Sequence, residues 1–523
     1  MSVLWSIFVA YIFVLNQVEA ARILAYFPTP SISHQVVFRP LTEALASRGH
    51  EVTVVTTDPA FPKGETPPNL REIDVHDISY RIWTTEVMKA QNAQDDDIVA
   101  PINVMIQAMI QVFDNQLKEE EIQSLIHNKH LQFDLLLLEA YMVPLLAFSH
   151  IYKVPVIQMS SLGASYPNYK SVGASTHPLL YPGNLRRRIN NLTMWEKVQE
   201  FYRNYKMQKL VRNNYDTLGN TVLRKHFGPD IPQAWELLNN IDMLFLNIHP
   251  IFEGIRPVPP NVIYLSGLHQ KPTKELPEDL KSYLDSSKHG VIYISFGTNV
   301  DSSLLPPEKI QILVRVFSQL PYDVLWKWNT DELPGRTDNI RISKWLPQSD
   351  LLKHPKLKLF ITQGGLQSTD EAITAGVPLI GVPILADQWF NVERYEFHKI
   401  GVRVDLETLT EDIFRTAITT TTANDSYRRN MERFRSVIQD APQSPLERAV
   451  WWTEYVLRHG GAKHLRSPSA NMSWWHYLEL ELVLTLLAAF LIAFVLFILA
   501  LRLVYKFVLR NYLGVIDVKI KRN

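Results

Sequence analysis

Residues 360–391, FITQGGLQSTDEAITAGVPLIGVPILADQWFN, combine glycines with polar side chains at the ends of apolar runs. Gly364 and Gly365 lie between a strand-like run and a predicted helix of about ten residues. The helix is expected to end at Gly376, since glycine readily adopts the left-handed backbone conformation that terminates many helices. At a helix start, glycines allow close approach to free N–H groups, which together with the helix dipole attract an anion such as phosphate. An ordinary turn between two elements is the alternative for this glycine pair taken alone.

Other polar side chains extend this pattern toward a nucleotide and a sugar. A second turn of small residues, SFGT at 295–298, also follows an apolar run, and the two turns together predict a diphosphate cradle. Glu371 could accept hydrogen bonds from the two hydroxyls of a ribose. Asp387 and Gln388 offer hydrogen-bond acceptors and a donor side by side, which suits the hydroxyls of a sugar. Trp345 offers a ring for stacking on a base, with ordinary packing as the alternative.

His34 and Glu139 are the candidates for proton transfer. A neutral imidazole can take a proton from a hydroxyl near pH 7, an effect worth roughly 10² to 10⁴ in rate. Glu139 ends a run of four leucines, where a carboxylate is either solvated at the mouth of a cleft or paired. We predict that it pairs with His34 and fixes the orientation of the ring.

The elements that must position these residues are alternating strands and helices. One series begins at residue 22 and a second near residue 290, separated by a connection rich in proline around 257–260. This pattern predicts an α/β protein with two doubly wound Rossmann-like domains, at 21–270 and 271–465. Because ligands bind outside the carboxyl ends of parallel strands, where the polar clusters fall, the two domains are expected to face each other across one cleft.

The two ends of the chain predict a lumenal body with a membrane anchor. Residues 1–20 have the pattern of a signal peptide, 466–481 form a juxtamembrane segment rich in aromatic residues, and 482–501 carry no charge. At 1.5 Å per residue, that last stretch spans roughly 30 Å, the thickness of the hydrocarbon core. The basic tail at 502–523 is expected in the cytosol. Sequons at Asn191, Asn424 and Asn471 fit a lumenal glycoprotein, with chance occurrence as the alternative.

Composition disfavours several classes of function. Lys plus Arg and Asp plus Glu are equal at 53 each, so no overall positive charge favours binding of nucleic acid. The chain has no cysteine, which excludes disulfides and thiolate zinc sites. The acidic run Asp95-Asp96-Asp97 does not follow an apolar strand, and we interpret it as a solvated helix start instead of a metal site. Arg186-Arg187-Arg188 is interpreted as a solvated surface run.

The segment from Trp345 to Gln388, with WLPQSDLLKHPKLKLFITQGG followed by EAI and GVPLIGVPILADQ, resembles membrane-anchored UDP-glycosyltransferases of the endoplasmic reticulum. This is the UDP-glucuronosyltransferase and UDP-glucosyltransferase family, and the chain is most similar to insect members over nearly its whole length. The resemblance implies a GT-B fold with the acceptor in the N-terminal domain and the UDP-sugar in the C-terminal domain. It also implies an inverting, metal-independent transferase without a permanently bound cofactor, for which the UDP-sugar is a co-substrate.

The resemblance also implies roles for individual residues. His34 is similar to the family's catalytic base, and Glu139 stands where members commonly have aspartate. The expected donor contacts are uracil for Trp345 and Gln348, ribose for Glu371, sugar for Asp387 and Gln388, and phosphates for Ser295, Gly297, Thr298, Gln363, Gly364, Gly365 and Gln367. Many members have histidine where this chain has Gln363, so phosphate binding is expected to be weaker or less dependent on pH. Lys519 and Lys521 resemble a retrieval signal for the endoplasmic reticulum.

The expected reaction is transfer of a hexose, with glucose expected over glucuronate, to a hydroxyl of a small lipophilic acceptor. A phenol, a steroid or a xenobiotic fits that description, in keeping with a role in detoxification at a membrane. The alternative from another class is a catalytically silenced, membrane-anchored carrier or receptor for a lipophilic ligand or nucleotide-sugar. A sugar-nucleotide epimerase of the same architecture is a further alternative. The sequence leaves the oligomeric state open, including a homo-oligomer.

Overall fold

A computed structural model of the chain describes residues 20–92, 99–298 and 302–520. The predicted signal peptide, except for residue 20, the acidic run at 95–97 and Lys521 of the predicted retrieval signal therefore lie outside the described residues. The described chain up to Ser467 forms one compact unit, and Pro468 onward forms a second.

Two parallel β-sheets organise the first unit. The first sheet has the order β3-β2-β1-β4-β5-β6-β7 and is built from Arg22–Phe27, Glu51–Thr56, Leu70–Asp74, Leu135–Glu139, Val156–Ser160, Ile241–Leu246 and Val262–Tyr264, β1 to β7 in chain order. The second has the order β10-β9-β8-β11-β12-β13 and is built from Val291–Ser295, Asp323–Lys327, Ile340–Ser343, Leu357–Thr362, Leu379–Gly381 and Gly401–Arg403, β8 to β13. Each order starts from a central strand and winds outward in both directions, which is the doubly wound arrangement.

Helices connect these strands and cover both faces of the sheets. Those of the first part of the chain are α1 (Ile32–Ser47), α2 (His76–Asn92), α3 (Val99–Gln116), α4 (Glu120–His127), α5 (Ala147–Tyr152), α6 (Tyr166–Val172), α7 (Met194–Asn214), α8 (Asn220–Phe227), α9 (Ala234–Leu237) and α10 (Pro250–Glu253). Those of the second part are α11 (Glu278–Ser286), α12 (Pro307–Ser318), α13 (Gln348–Leu351), α14 (Leu366–Ala375), α15 (Gln388–His398), α16 (Glu411–Ala423), α17 (Ser426–Gln439) and α18 (Pro445–His459).

Burial of each sheet on both faces explains the nearly continuous apolar runs of the strands. All five residues of β4 are buried, and alternate leucines belong to different cores. Leu136 and Leu138 join one hydrophobic cluster, whereas Leu135 and Leu137 join the cluster on the opposite face. A glutamate at the end of such a strand is therefore unusual and needs a polar partner.

The predicted α/β class and its two doubly wound sheets are confirmed. Helix α1 begins at Ile32 and accommodates Pro40 inside the helix, so that His34 belongs to its first turn. Helix α18 contributes Ala449 and Val456 to the cluster on one face of the first sheet, and Glu454 pairs with Arg48. The division near residue 270 stays a prediction.

The second unit contains the short helix α19 (Trp474–Tyr477) and the long helix α20 (Leu480–Ile520). Within the described part of the chain, the 33-residue stretch Leu480–Tyr512 is the one helix long and apolar enough to cross a membrane, judged by length and composition. The helix does not stop at 501 but continues through Arg502, Lys506 and Arg510. Arginine and lysine are good helix formers, so basic residues end the apolar stretch without ending the helix.

Candidate active site

His34 and Glu139 come together at the carboxyl ends of two neighbouring strands. The chain leaves β1 at Phe27 and turns into α1, while Glu139 is the last residue of the adjacent strand β4. His34 Nδ1 lies 3.0 Å from Glu139 Oε1, and the other carboxylate oxygen accepts from the N–H of Thr29 at 3.1 Å. The contact predicted from the sequence is present, and the longer side chain of glutamate reaches the ring.

Pairing with Glu139 bears on which nitrogen of the His34 imidazole carries the proton. Glu139 is fully buried, whereas 18% of the His34 side chain is exposed. An ionised Glu139 carboxylate would only accept hydrogen bonds, and the shared proton would then lie on Nδ1 of His34. Nε2 is then the basic nitrogen, which is the state required of a general base.

The two sheets face each other across this site. The Gln367 side-chain amide donates to the carbonyl of Ser161, just beyond the end of β5, at 3.2 Å. Burial raises the pKa of the Asp387 carboxyl, while a hydrogen bond from Asn391 and the nearby His34 imidazole lower it. The hydrogen bond from Gln367 to Ser161 joins the carboxyl ends of β11 and β5, as the shared cleft predicted from the sequence requires.

The predicted phosphate cradle consists of two turns whose glycines have left-handed backbones. Gly297 has φ +79° and Gly364 has φ +91°. The Gln363 side chain lies directly over Gly297, where an added Cβ would be 2.1 Å from Nε2. Gly365 is the N-cap residue of α14, and among the described residues no side chain caps that helix start. Its first N–H groups are therefore available to an anion.

The remaining residues of this cradle lie at its edge. Ser295 is buried at the end of β8, and its hydroxyl accepts from the N–H of Gly297 at 3.3 Å. Thr298 is exposed one residue further along the turn. The cradle residues therefore lie at the ends of two neighbouring strands of the sheet. Ser295 ends β8 and is followed by Gly297 and Thr298, whereas β11 is followed by Gln363, Gly364 and Gly365.

Gln348 connects the predicted ribose and base positions. Its side-chain oxygen accepts from the Tyr293 hydroxyl at 3.0 Å, and its amide donates to Glu371 at 2.7 Å. Burial raises the pKa of the Glu371 carboxyl to about 7, although the hydrogen bond from Gln348 acts in the opposite direction. Trp345 follows β10 and is 69% exposed, so its ring has a free surface.

Asp387 and Gln388 are held by the loop that precedes α15. Gln388 Oε1 accepts from the N–H groups of Ile384 and Leu385 at 2.8 and 2.7 Å. The amide of Asn391 donates to Asp387 at 2.8 Å and to the carbonyl of Gly364 at 2.9 Å. The predicted sugar position therefore adjoins the predicted phosphate position.

Three residues that the sequence interpretation missed also contribute to the site. Asn391 holds Asp387 from four residues away, a spacing that places both on one face of α15. Tyr141 follows β4, and its ring centroid lies 6.4 Å from that of His34. The buried ammonium of Lys327 donates to the carbonyl of Gly297 at 2.8 Å. Lys327 ends β9, so the strand-end rule could have found it.

The interpretation of the arginine run as solvated surface is wrong for two of its three members. Arg186 forms an ion pair with Glu200 at 2.9 Å and is mostly buried. The Arg187 guanidinium lies 4.6 Å from the ring centroid of Trp389. Arg188 is exposed, as expected. A run of like charges does not reveal that residues about 200 positions away will contact it.

Comparison with known proteins identifies the family. A model described as "UDP-glucoronosyl and UDP-glucosyl transferase" matches residues 23–514. The chain belongs to this family. It is 37% identical to an ecdysteroid UDP-glucosyltransferase of Lymantria dispar multicapsid nuclear polyhedrosis virus, over 91% of this chain and 95% of that protein. It is also 32% identical to UDP-glucosyltransferase 2 of Dactylopius coccus, over 90% of this chain and 91% of that protein. Family and fold make the chain a UDP-glycosyltransferase.

Solved structures confirm the GT-B architecture of this UDP-glycosyltransferase. The kitacinnamycin glycotransferase has a TM-score of 0.56 at 18% identity, covering 83% of this chain and 99% of the other. The calicheamicin glycosyltransferase CalG4 has a TM-score of 0.54 at 16% identity, covering 84% and 99%. At these identities the likeness concerns the fold alone. The roles of the individual site residues stay predictions.

Replacing Gly297 with alanine tests the cradle. Its Cβ would displace the Gln363 amide, so we expect the dissociation constant for UDP to rise roughly tenfold, the loss of about one hydrogen bond to a charged group. Gly64→Ala is the matched control, because Gly64 has φ +86° and an added Cβ there meets nothing within 4 Å. Calorimetric titration with UDP measures both variants, and equal affinities for the two would contradict the assignment.

The raised pKa of Glu371 predicts that donor binding depends on pH. Ribose hydroxyls donate best to the ionised carboxylate, so bound donor lowers the pKa of Glu371, and binding weakens as the pH falls through about 7. Between pH 8 and pH 6, the dissociation constant for UDP-glucose should rise by up to about tenfold.

The measurement belongs in a His34→Ala background, which removes the imidazole from the site. UDP-glucose is the suitable probe because its phosphates do not titrate in this range. Glu371→Gln should remove most of the pH dependence, and the adjacent Asp370, whose pKa burial raises to about 8, accounts for any remainder. An undiminished dependence in the glutamine variant would refute the assignment of Glu371.

Proposed function

We propose that this UDP-glycosyltransferase transfers glucose from UDP-glucose to a hydroxyl of a small lipophilic acceptor, with inversion at the anomeric carbon. The pairing of His34 with the buried Glu139, at the edge of the first sheet that the Gln367–Ser161 hydrogen bond joins to the second, is the observation that carries this proposal. The donor assignment is supported by the relatives named as UDP-glucosyltransferases.

In the proposed step, Nε2 of His34 removes the proton from the acceptor hydroxyl. The acceptor oxygen then forms a bond to the anomeric carbon, and the bond from that carbon to the diphosphate oxygen breaks. Glu139 stabilises the imidazolium that results, since the carboxylate lies 3.0 Å from the ring. The base belongs to the first sheet and the cradle to the second, so attack and departure occur on opposite sides of the carbon. This geometry favours inversion.

The order of strand ends in the second sheet supports the proposed placement of the donor. Across the sheet, Trp345 follows β10, Lys327 ends β9, Ser295 ends β8, Gln363 follows β11, and Asp387 comes after β12. This is the order of base, diphosphate and sugar in a UDP-sugar. The charge that develops on departing UDP would meet the uncapped start of α14 and the ammonium of Lys327.

A steroid is the acceptor we propose within the lipophilic class. The relative from Lymantria dispar multicapsid nuclear polyhedrosis virus is named for an ecdysteroid, and that name supports a polycyclic alcohol here. The apolar helix Leu480–Tyr512 supports an anchor in a bilayer, where such acceptors dissolve. We propose a single-pass protein of the endoplasmic reticulum membrane with a lumenal, glycosylated body and a role in detoxification.

Exchange of His34 for alanine separates the enzyme from the alternative of a silent carrier. We expect kcat to fall roughly 10²- to 10⁴-fold, because the general base is lost, while the affinity for UDP stays within about twofold. His130→Ala, at an exposed position in a loop of the first part of the chain, is the control. Product formation from UDP-glucose and a panel of steroids and phenols, read by mass, gives the rates. Absence of turnover in the wild type would support the carrier, whereas unchanged turnover in the His34 variant would contradict the assignment of His34 as the base.

Removal of divalent metal should leave turnover unchanged. The proposed cradle neutralises the diphosphate with backbone N–H groups, a helix dipole and Lys327 instead of a metal ion. The check is steady-state turnover of the purified enzyme before and after treatment with EDTA. Loss of activity that returns with added magnesium or manganese would contradict metal independence.

A further inference from the structure

The segment of residues 184–190, which we call the bridging segment, joins the two sides of the active site. It leaves the part of the chain that forms the first sheet, between α6 and α7, and contacts α15 and β13 of the second. Arg186 holds the bridging segment against the first part of the chain. It forms the ion pair with Glu200 and donates a hydrogen bond to the carbonyl of Pro178 at 2.8 Å.

On the donor side, the bridging segment holds the first two turns of α15. The Arg187 guanidinium stacks over Trp389, the residue that directly follows Asp387 and Gln388. The buried carboxylate of Glu393, one turn later, accepts from the N–H groups of Ile189 and Asn190 at 3.2 and 3.3 Å. A buried carboxylate requires such donors, so these contacts are specific in position and not merely apolar packing.

A third contact fastens the backbone of the segment to β13. Arg403 donates to the carbonyl of Arg187 at 3.0 Å, and the same guanidinium lies 3.6 Å from the Glu393 carboxylate. Arg187, Glu393 and Arg403 thus form one connected group. Moving any of them would change the position of the first turn of α15.

On the acceptor side, the bridging segment reaches Tyr141. The Asn184 amide donates to the Tyr141 hydroxyl at 3.0 Å, and the Tyr141 ring is the neighbour of His34. The same segment therefore touches the surroundings of the proposed base and the helix that carries the proposed sugar contacts.

We propose that the bridging segment positions the donor sugar, with Arg187 as its main positioning residue. By holding Trp389, Arg187 keeps Asp387 and Gln388 at a fixed place opposite His34. The residues proposed for the base, ribose and diphosphate lie on other strand ends and on α13 and α14, outside these contacts. The inference rests on the proposed function, since it concerns the sugar of a UDP-sugar donor.

The distinguishing experiment compares Arg187→Ala with Arg188→Ala in the full-length protein. These neighbours are matched in charge and size, but Arg188 is exposed and pairs with Glu196 of its own side at 2.7 Å. Dissociation constants for UDP and for UDP-glucose are measured for each. A purely structural role would lower the thermal unfolding midpoint without changing the ratio of the two constants.

We expect Arg187→Ala to weaken UDP-glucose binding roughly threefold to tenfold, as loss of a cation–π contact predicts, with UDP binding within about twofold of wild type. Arg188→Ala should leave both constants unchanged. If the alanine variant does not fold, Arg187→Lys, which keeps the charge but loses the planar stacking, is judged by the same criterion.

Equal weakening of UDP and UDP-glucose, no weakening of either, or the same effect from Arg188→Ala would overturn the proposal. If the wild type prefers another UDP-sugar, the assignment of glucose fails. The comparison of UDP with the preferred sugar nucleotide then still decides the role of the bridging segment.

Discussion

The buried carboxylate of Glu139 is the constraint on which the site depends. A carboxylate without solvent access at the end of an apolar strand needs hydrogen-bond donors, and leaving a buried polar group unsatisfied costs about 1–3 kcal/mol, more for a charged one. Here the partners are the N–H of Thr29, which lies in the connection after β1, and the ring of His34, which lies in the first turn of α1. The interaction that satisfies Glu139 therefore also shapes this connection and orients the imidazole, so the proposed base is positioned by the folding of the first sheet.

In the proposed account, the second sheet presents the uncapped N–H groups at the start of α14 to the diphosphate of the donor. Left-handed turns at Gly297 and Gly364 bring backbone close to the space between the sheets, and α14 starts at that point without a side-chain cap among the described residues. These features cost backbone stability when the site is empty, because uncapped N–H groups lack a protein partner. Such a cost is expected where the structure is prepared for a ligand.

Much of this arrangement could be predicted from the sequence, because the carboxyl ends of parallel strands are places where distant residues must meet. That rule predicted that His34 lies near Glu139 and that the two glycine turns lie near each other. It applies equally to Lys327 at the end of β9, which the sequence interpretation overlooked. The bridging segment was beyond prediction, since nothing local to Arg187 indicates a stacking partner at Trp389 or an acceptor at Glu393.

The central claim is that a base from one sheet meets the anomeric carbon of a donor held by the other. A crystal structure of the full protein with a non-reactive fluorinated UDP-glucose and a bound steroid alcohol tests this most directly. The account predicts His34 Nε2 within about 2.6–3.2 Å of the acceptor oxygen, with that oxygen opposite the diphosphate across the anomeric carbon. An acceptor hydroxyl bound away from His34, or a donor sugar that does not contact Asp387 and Gln388, would contradict it.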